Sequence, residues 1–277
     1  MIRRLFRLWR LFGWLDFVWM TRDLTFFSTY LVSEAVLNIA NVGGTFLLAE
    51  RFGGIGAWTR DEVLFMLGYG TLVTSVVFTF FGYNVSHISR RVGRGQLDHA
   101  LIQPQPVWMG LLTDGFNPFG GSAGLIPGIA LILWAGRHLT IAVTPIWLAL
   151  FAVNLIGSCA IALAFSFFWG SLAFWAPRAA EEITSSTWRM IEQLKTFPLD
   201  GVGASLGTGL LTVLPVGFVA WYPCRALLGL DPNPFATGVT PVAAIVFVAI
   251  AVSVFRKGMQ HYGRTGSQRY LSMGHRG

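Results

Sequence analysis

The chain has 277 residues, 54% of them hydrophobic and only 12% charged, with a net charge of +7. A soluble domain carries about twice that charged fraction, so the composition excludes a soluble globular protein and leaves no room for a separate soluble domain. The basic residues flank long apolar runs, which assigns the charge to lipid headgroups and the positive-inside bias rather than to nucleic acid.

In chain order, residues 1–22 place Arg3, Arg7 and Arg10 at helical spacing, while Leu5, Leu8, Phe12, Leu15 and Trp19 share another face. This predicts an amphipathic helix lying in the membrane interface, either positioning the first span or serving as a simple anchor. It is not a signal peptide, because Asp16 interrupts the run Leu11–Met20 and no small-residue cleavage site follows. Two spans occupy residues 24–87, Leu24–Leu48 and about Glu62–His87, joined by a loop with Gly53, Gly54 and Gly56 as turn formers. A polar island fills residues 88–106. Residues 107–175 hold the third and fourth spans. The third starts near Val107 and is interrupted by Asp114, Asn117 and Pro118, with its clean apolar part at Pro118–Ala135; the fourth is Pro145–Trp175.

Residues 179–255 are less regular. Ala179–Pro198 carries Glu181, Glu182, Arg189, Glu192 and Lys195. Hydropathy alone rejects it, yet charges at membrane depth are tolerated when they face a cavity or each other. Glu192 and Lys195 are three apart and Glu182 and Arg189 seven apart, so each pair can share a helix face. Gly201–Leu230, broken by Pro215 and Pro223, suits a re-entrant hairpin, and Pro234–Phe255 is the last span. A basic tail, 256–277, contains Arg256, Lys257, Arg264, Arg269 and Arg276. The expected fold is therefore one all-α polytopic membrane domain over residues 1–277. It has six transmembrane helices, an N-terminal interfacial helix and a re-entrant hairpin before the last span.

Fourteen of the 20 Lys and Arg fall on one side of such a topology and four (Arg51, Arg60, Arg137, Arg225) on the other; Arg189 and Lys195 sit in the doubtful fifth span. That asymmetry places both termini in the cytoplasm. No internal repeat supports the inverted symmetry of a secondary transporter. Cys159 and Cys224 read as inert buried thiols, and His87, His99 and His138 show no ligand spacing, so no metal site is assigned. Trp14, Trp19, Trp58, Trp108, Trp147 and Trp221 fall at span ends, as an interfacial belt does.

Two constellations carry candidate chemistry. On the first span Glu34, Asn38, Asn41 and Thr45 form one polar stripe. It is either the wall of a substrate pathway, with Glu34 attracting a cationic group, or helix–helix glue at a dimer interface. The island is the second. Gly93 and Gly95 permit tight geometry, Gln96–Ile102 can form about two helical turns, and Pro104 and Pro106 end them. Leu97 and Leu101 lie one turn apart and can fill a partner's groove, while Asp98 favours the helix dipole; a solvated loop is the plainer reading. No Walker A P-loop is present, since neither Lys195 nor Lys257 has the glycine spacing. The chain also shows no catalytic set, so it binds no cofactor for its own chemistry.

The stretch Ile88-x-Arg90-Arg91-Val92-x-x-Gly95-x-Leu97-Asp98-x-x-Leu101-Ile102-x-Pro104 resembles the coupling region of type-2 ABC exporter permeases. It is closest to a six-span bacterial subfamily, and Phe197-Pro198, Leu214-Pro215, Tyr222-Pro223 and Phe255-Arg256-Lys257-Gly258-x-x-x-Tyr262 extend the resemblance. His99 and Gln103 depart from the usual pattern. The resemblance implies a permease in the bacterial inner membrane that docks a separate ATP-binding subunit, where ATP and magnesium bind. Arg94, Gly95, Gln96, Leu97, Asp98, Leu101 and Pro104 would form the docking helix. Glu34, Asn38, Asn41, Thr45 and Glu192 would border the pathway or a dimer interface, and Pro215 and Pro223 a re-entrant exit gate. A second copy or a related permease would complete the membrane domain, moving a hydrophobic or amphipathic substrate outward. A gradient-driven secondary transporter or channel, needing no ATPase, is the alternative; an intramembrane enzyme lacks a convergent catalytic set.

Overall fold

The structure is a computed structural model that describes residues 2–266 except 94, 105, 114, 120 and 201. Helix α1 (Ile2–Thr21) leads into α2 (Leu24–Phe52). Asp23 caps α2, its carboxylate accepting from the Thr25 and Phe26 amides at 2.9 and 3.1 Å. A two-residue antiparallel hairpin, β1 (Gly54–Ile55) and β2 (Trp58–Thr59), turns the chain into α3 (Arg60–Gly93). After α3 come α4 (Leu97–Leu101), α5 (Val107–Thr113), α6 (Leu125–His138) and α7 (Pro145–Ser171). A 3₁₀ turn at Leu172–Phe174 makes an elbow into α8 (Pro177–Leu194). Then follow α9 (Ala204–Thr212), a second 3₁₀ turn (Pro215–Phe218), α10 (Trp221–Leu227) and α11 (Ala236–Thr265).

The core is built around α3. Val63, Leu64, Phe65, Met66 and Leu67 are consecutive and all at most 1% exposed. At 3.6 residues per turn, five consecutive buried residues cover the whole circumference, so α3 has no solvent or lipid face there. The outer helices are reversed in character. Ile39 and Leu47 of α2, Ile126 of α6, Ile146 of α7 and Ile245 of α11 are large, apolar and exposed. Apolar inside and apolar outside is the arrangement of a bundle solvated by lipid. Helices α2, α7 and α11 and the first part of α3 are long and apolar enough to cross a membrane.

Several boundaries differ from expectation. The third span is split: α6 has 14 residues, about 21 Å at 1.5 Å per residue, short of a ~30 Å hydrocarbon core. Asn117-Pro118 and the glycines after it interrupt the helical backbone. The second helix runs on to Gly93, well into the expected island, because Ile88 and Val92 are buried on one face of α3. The island helix is five residues rather than two turns. The last helix continues to Thr265, so Arg256, Lys257 and Arg264 belong to α11 rather than to a loose tail; Arg269 and Arg276 lie outside the described residues.

α3 and α6 cross at two glycines. A Cβ on Gly68 would lie 2.9 Å from the Gly128 carbonyl oxygen, and one on Gly128 would lie 3.0 Å from the Leu72 amide. Small residues at such crossings let backbones approach. Gly128→Leu is therefore expected to lower stability by about 1–3 kcal/mol through overpacking. Gly136→Leu on the same helix, where nothing lies within 4 Å of an added Cβ, should stay within about 0.5 kcal/mol of the parent. Thermal melting of the two variants in detergent checks the contrast.

Candidate functional site

A cavity of about 1140 Å³ opens between α1, α2, α3 and the C-terminal end of α8. Three of the expected residues reach it: Glu34 and Thr45 from α2 and Glu192 from α8. Tyr30, one turn before Glu34, hydrogen-bonds the Glu34 carboxylate. The Lys195 ammonium donates to Glu192 Oε2 at 2.6 Å and to Thr74 Oγ1 of α3 at 2.8 Å. The i,i+3 pair read from the sequence therefore exists, and it is tied to the core helix. Glu192 Oε1 is buried with no hydrogen-bond partner among the described residues. Asp16 and Trp19 of α1 also face the cavity, so the amphipathic helix contributes its apolar face to a protein surface. Asp16 Oδ2 accepts from the Phe119 amide at 2.9 Å, and Trp9 meets Phe80 at 5.6 Å. The side chains of Asn38 and Asn41 lie outside the described residues. Glu182 and Arg189 do not pair with each other; Glu181 instead pairs with Arg90 at 2.7 Å, and Arg189 turns back to Ser185 and Ser186 on its own helix.

The island has two faces. Gly95 turns the chain with φ 70°, and α4 follows. Leu97 is 1% exposed, packed with Val92, Ala173, Phe174, Ala180 and Tyr262. It therefore cannot fill a partner's groove, contrary to the sequence expectation: its own chain already surrounds it. Asp98 likewise points inward, accepting from the Tyr262 hydroxyl at 2.6 Å. Leu101 and Ile102 are the exposed apolar residues, at 45% and 81%. Gln96, His99 and Pro104 are exposed beside them, and Arg4 of α1 donates to the Pro104 carbonyl at 3.3 Å. A smaller cavity of about 300 Å³ lies between α1, the end of α3, α4 and α5, lined by Phe12, Arg91, Leu97, His99 and Leu111 among others. Arg94 lies outside the described residues.

At the opposite end of α3 the Pro-broken segment is pinned to the bundle. Pro215 opens the 3₁₀ turn and Pro223 sits in α10, both buried. The Phe218 carbonyl accepts from Ser158 Oγ at 2.8 Å, and Ser158 also contacts the Tyr69 hydroxyl at 3.1 Å. Irregular backbone inside the bundle is thereby satisfied by a neighbouring helix. Asp200 was not foreseen from the sequence. Its carboxylate accepts from the indole N–H groups of Trp58 and Trp221 and from Arg225. Arg225 also reaches Asp231 at 3.4 Å and lies over the Trp221 ring. Trp58 is buried, so the two tryptophans assigned to an interfacial belt spend their donors on protein. A lone Asp in a Gly- and Pro-rich stretch between two tryptophans was the available signal.

Residues 35–266 match a family described as ABC-2 family transporter protein. No curated protein and no solved structure matches the chain.

Asp200→Ala removes the acceptor shared by three donors on two other elements. The loss is expected to cost about 1–3 kcal/mol and to speed hydrogen exchange in Trp221–Leu227. Exchange rates equal to those of the parent would show that this carboxylate does not hold α10.

Proposed function

The chain belongs to the ABC-2 family of transporter proteins, and from that premise we propose that it is the permease of an ATP-driven exporter. Membership makes it a multi-pass membrane permease that works with an ATP-binding subunit. In our reading that subunit docks on the outward face of the 95–104 island. The observation that carries this is the exposed pair Leu101 and Ile102 beside the exposed polar residues Gln96, His99 and Gln103. Exposed apolar groups rimmed by polar residues mark protein contact sites. ATP and magnesium bind on the partner; this chain's share is binding and motion.

The cavity under α2 is the pathway in this reading. Asp16, Glu34 and Glu192 face it, against a single Lys195 whose charge Glu192 already balances. Aromatic rings of Trp19, Phe78 and Phe116 are also among the lining. Carboxylates with aromatic faces favour an amphipathic cation. Helix α2 is apolar and exposed along most of its length, and a second permease, identical or related, covers it. Six crossings follow if α6 and α8 join the four long helices, α8 turning Glu192, with Lys195 after it, to the cavity. Residues 204–227 then form the re-entrant gate around Pro215 and Pro223, opposite the island. Both termini lie in the cytoplasm of a bacterial cell.

The tagged full chain, extracted from its native membrane in mild detergent, should bring down a Walker A ATPase identified by mass spectrometry. Ile102→Asp should reduce that recovery at least tenfold; a wild-type chain that emerges with no ATPase contradicts the reading. Separately, Glu34→Gln should slow export of tetraphenylphosphonium from vesicles about tenfold, a loss of ~1.4 kcal/mol. An unchanged rate removes the cationic assignment and leaves the docking reading intact.

A further inference from the structure

The inward face of the island has a role that its outward face does not explain. We propose that Leu97, Asp98 and Tyr262 form a transmission joint, which ties the docking element to α8 and α11 and is no part of the surface that meets the ATP-binding subunit. The inference rests on the island being the docking element.

Three elements distant in sequence converge on α4. Leu97 shares one buried cluster with the elbow residues Ala173 and Phe174, Ala180 of α8 and Tyr262 of α11. Tyr262 is 4% exposed and its hydroxyl donates to Asp98. Its ring meets Phe174 at 5.8 Å, edge to face, and Phe174 meets Phe255, two α11 turns further back, at 5.7 Å. Gly258 makes the room: a Cβ there would lie 2.2 Å from the Phe174 ring. The elbow is thus seated against the backbone of α11. Arg90, at the end of α3, pairs with Glu181 in the first turns of α8.

These contacts connect α4 to the cavity. Glu181 and Lys195 stand 14 positions apart along α8 and its last turn, about 21 Å at 1.5 Å per residue. One end of that helix is held by the island's contacts, and the other carries the Glu192–Lys195 pair into the cavity. A close-packed knob and a short hydrogen bond do not stretch; a displaced α4 either carries its neighbours or breaks from them. Tyr262 is accordingly a positioning residue, acting on the partner only through Asp98 and α4.

The test uses the full chain in lipid nanodiscs with its ATP-binding subunit. It measures the Kd of the subunit and the acceleration of ATP hydrolysis that the permease produces. Tyr262→Phe keeps the ring and removes the hydroxyl. It should leave Kd within about twofold while lowering the acceleration at least fivefold. Asp98→Asn keeps an acceptor oxygen and should retain most of the acceleration. Asp98→Ala combined with Tyr262→Phe should be no worse than Tyr262→Phe alone, as expected of two groups acting as a unit. Ile102→Asp should instead weaken Kd at least tenfold. The joint is overturned if Tyr262→Phe weakens binding as much as Ile102→Asp does, or leaves the acceleration unchanged. If the Tyr262 and Asp98 variants behave as predicted but Ile102→Asp binds normally, the joint stands and the docking face is misplaced. A wild-type chain that binds no subunit overturns the parent reading and this one together.

Discussion

The rest of the structure hangs on one constraint: over residues 63–75, α3 is buried on every side. A stretch of helix with no exposed face must be enclosed by neighbours on all quarters. Glycines bring α6 against it, the Tyr69–Ser158 contact brings α7, and Lys195–Thr74 with Phe78–Trp188 brings α8. Close packing of this kind is hard to compress and transmits strain. Both ends of α3 are therefore set by the same core. One end is the hairpin beside Asp200, and the other continues without a break into the island.

Inside such a bundle each polar side chain needs a partner, because lipid offers none. The partners are drawn from other elements. Asn154 of α7 donates to the Thr237 carbonyl of α11 at 3.0 Å, Ser158 to the Phe218 carbonyl, and Lys195 to Thr74. The accounting is not complete among the described residues: Glu192 Oε1 at the cavity, and Ser89 Oγ, Asn154 Oδ1 and Thr240 Oγ1 elsewhere in the bundle, are buried without a hydrogen-bond partner.

Much of this was legible in the chain. Apolar runs separated by charge gave the helices, the four-three-four stripe brought Glu34 and Thr45 to one side of α2, and the i,i+3 spacing of Glu192 and Lys195 gave their pair. The faces of the island were not legible. Leu97 and Leu101 look equivalent by spacing, but α4 is barely more than one turn. Which of them turns inward is decided by Phe174 and Tyr262, far away in sequence. The run of α3 to Gly93 was masked by its arginines, although Ile88 and Val92 stand at helical spacing. Asp200 escaped for the same reason as Leu97: its partners at 58, 221 and 225 converge only in the folded chain. Tryptophans at span ends suit a lipid interface and a carboxylate acceptor equally well, and composition cannot separate the two.

The central claim is that the island presents one face to its partner and commits the other to its own chain. A photo-reactive phenylalanine analogue in place of Ile102 or of Leu97, in the full chain within its native membrane, tests it most directly. The account predicts that position 102 crosslinks to the ATP-binding subunit, whereas position 97 gives only products within the chain, mapped to residues 172–180 or 255–262. Crosslinking of position 97 to the ATP-binding subunit, or of position 102 to this chain alone, would contradict it.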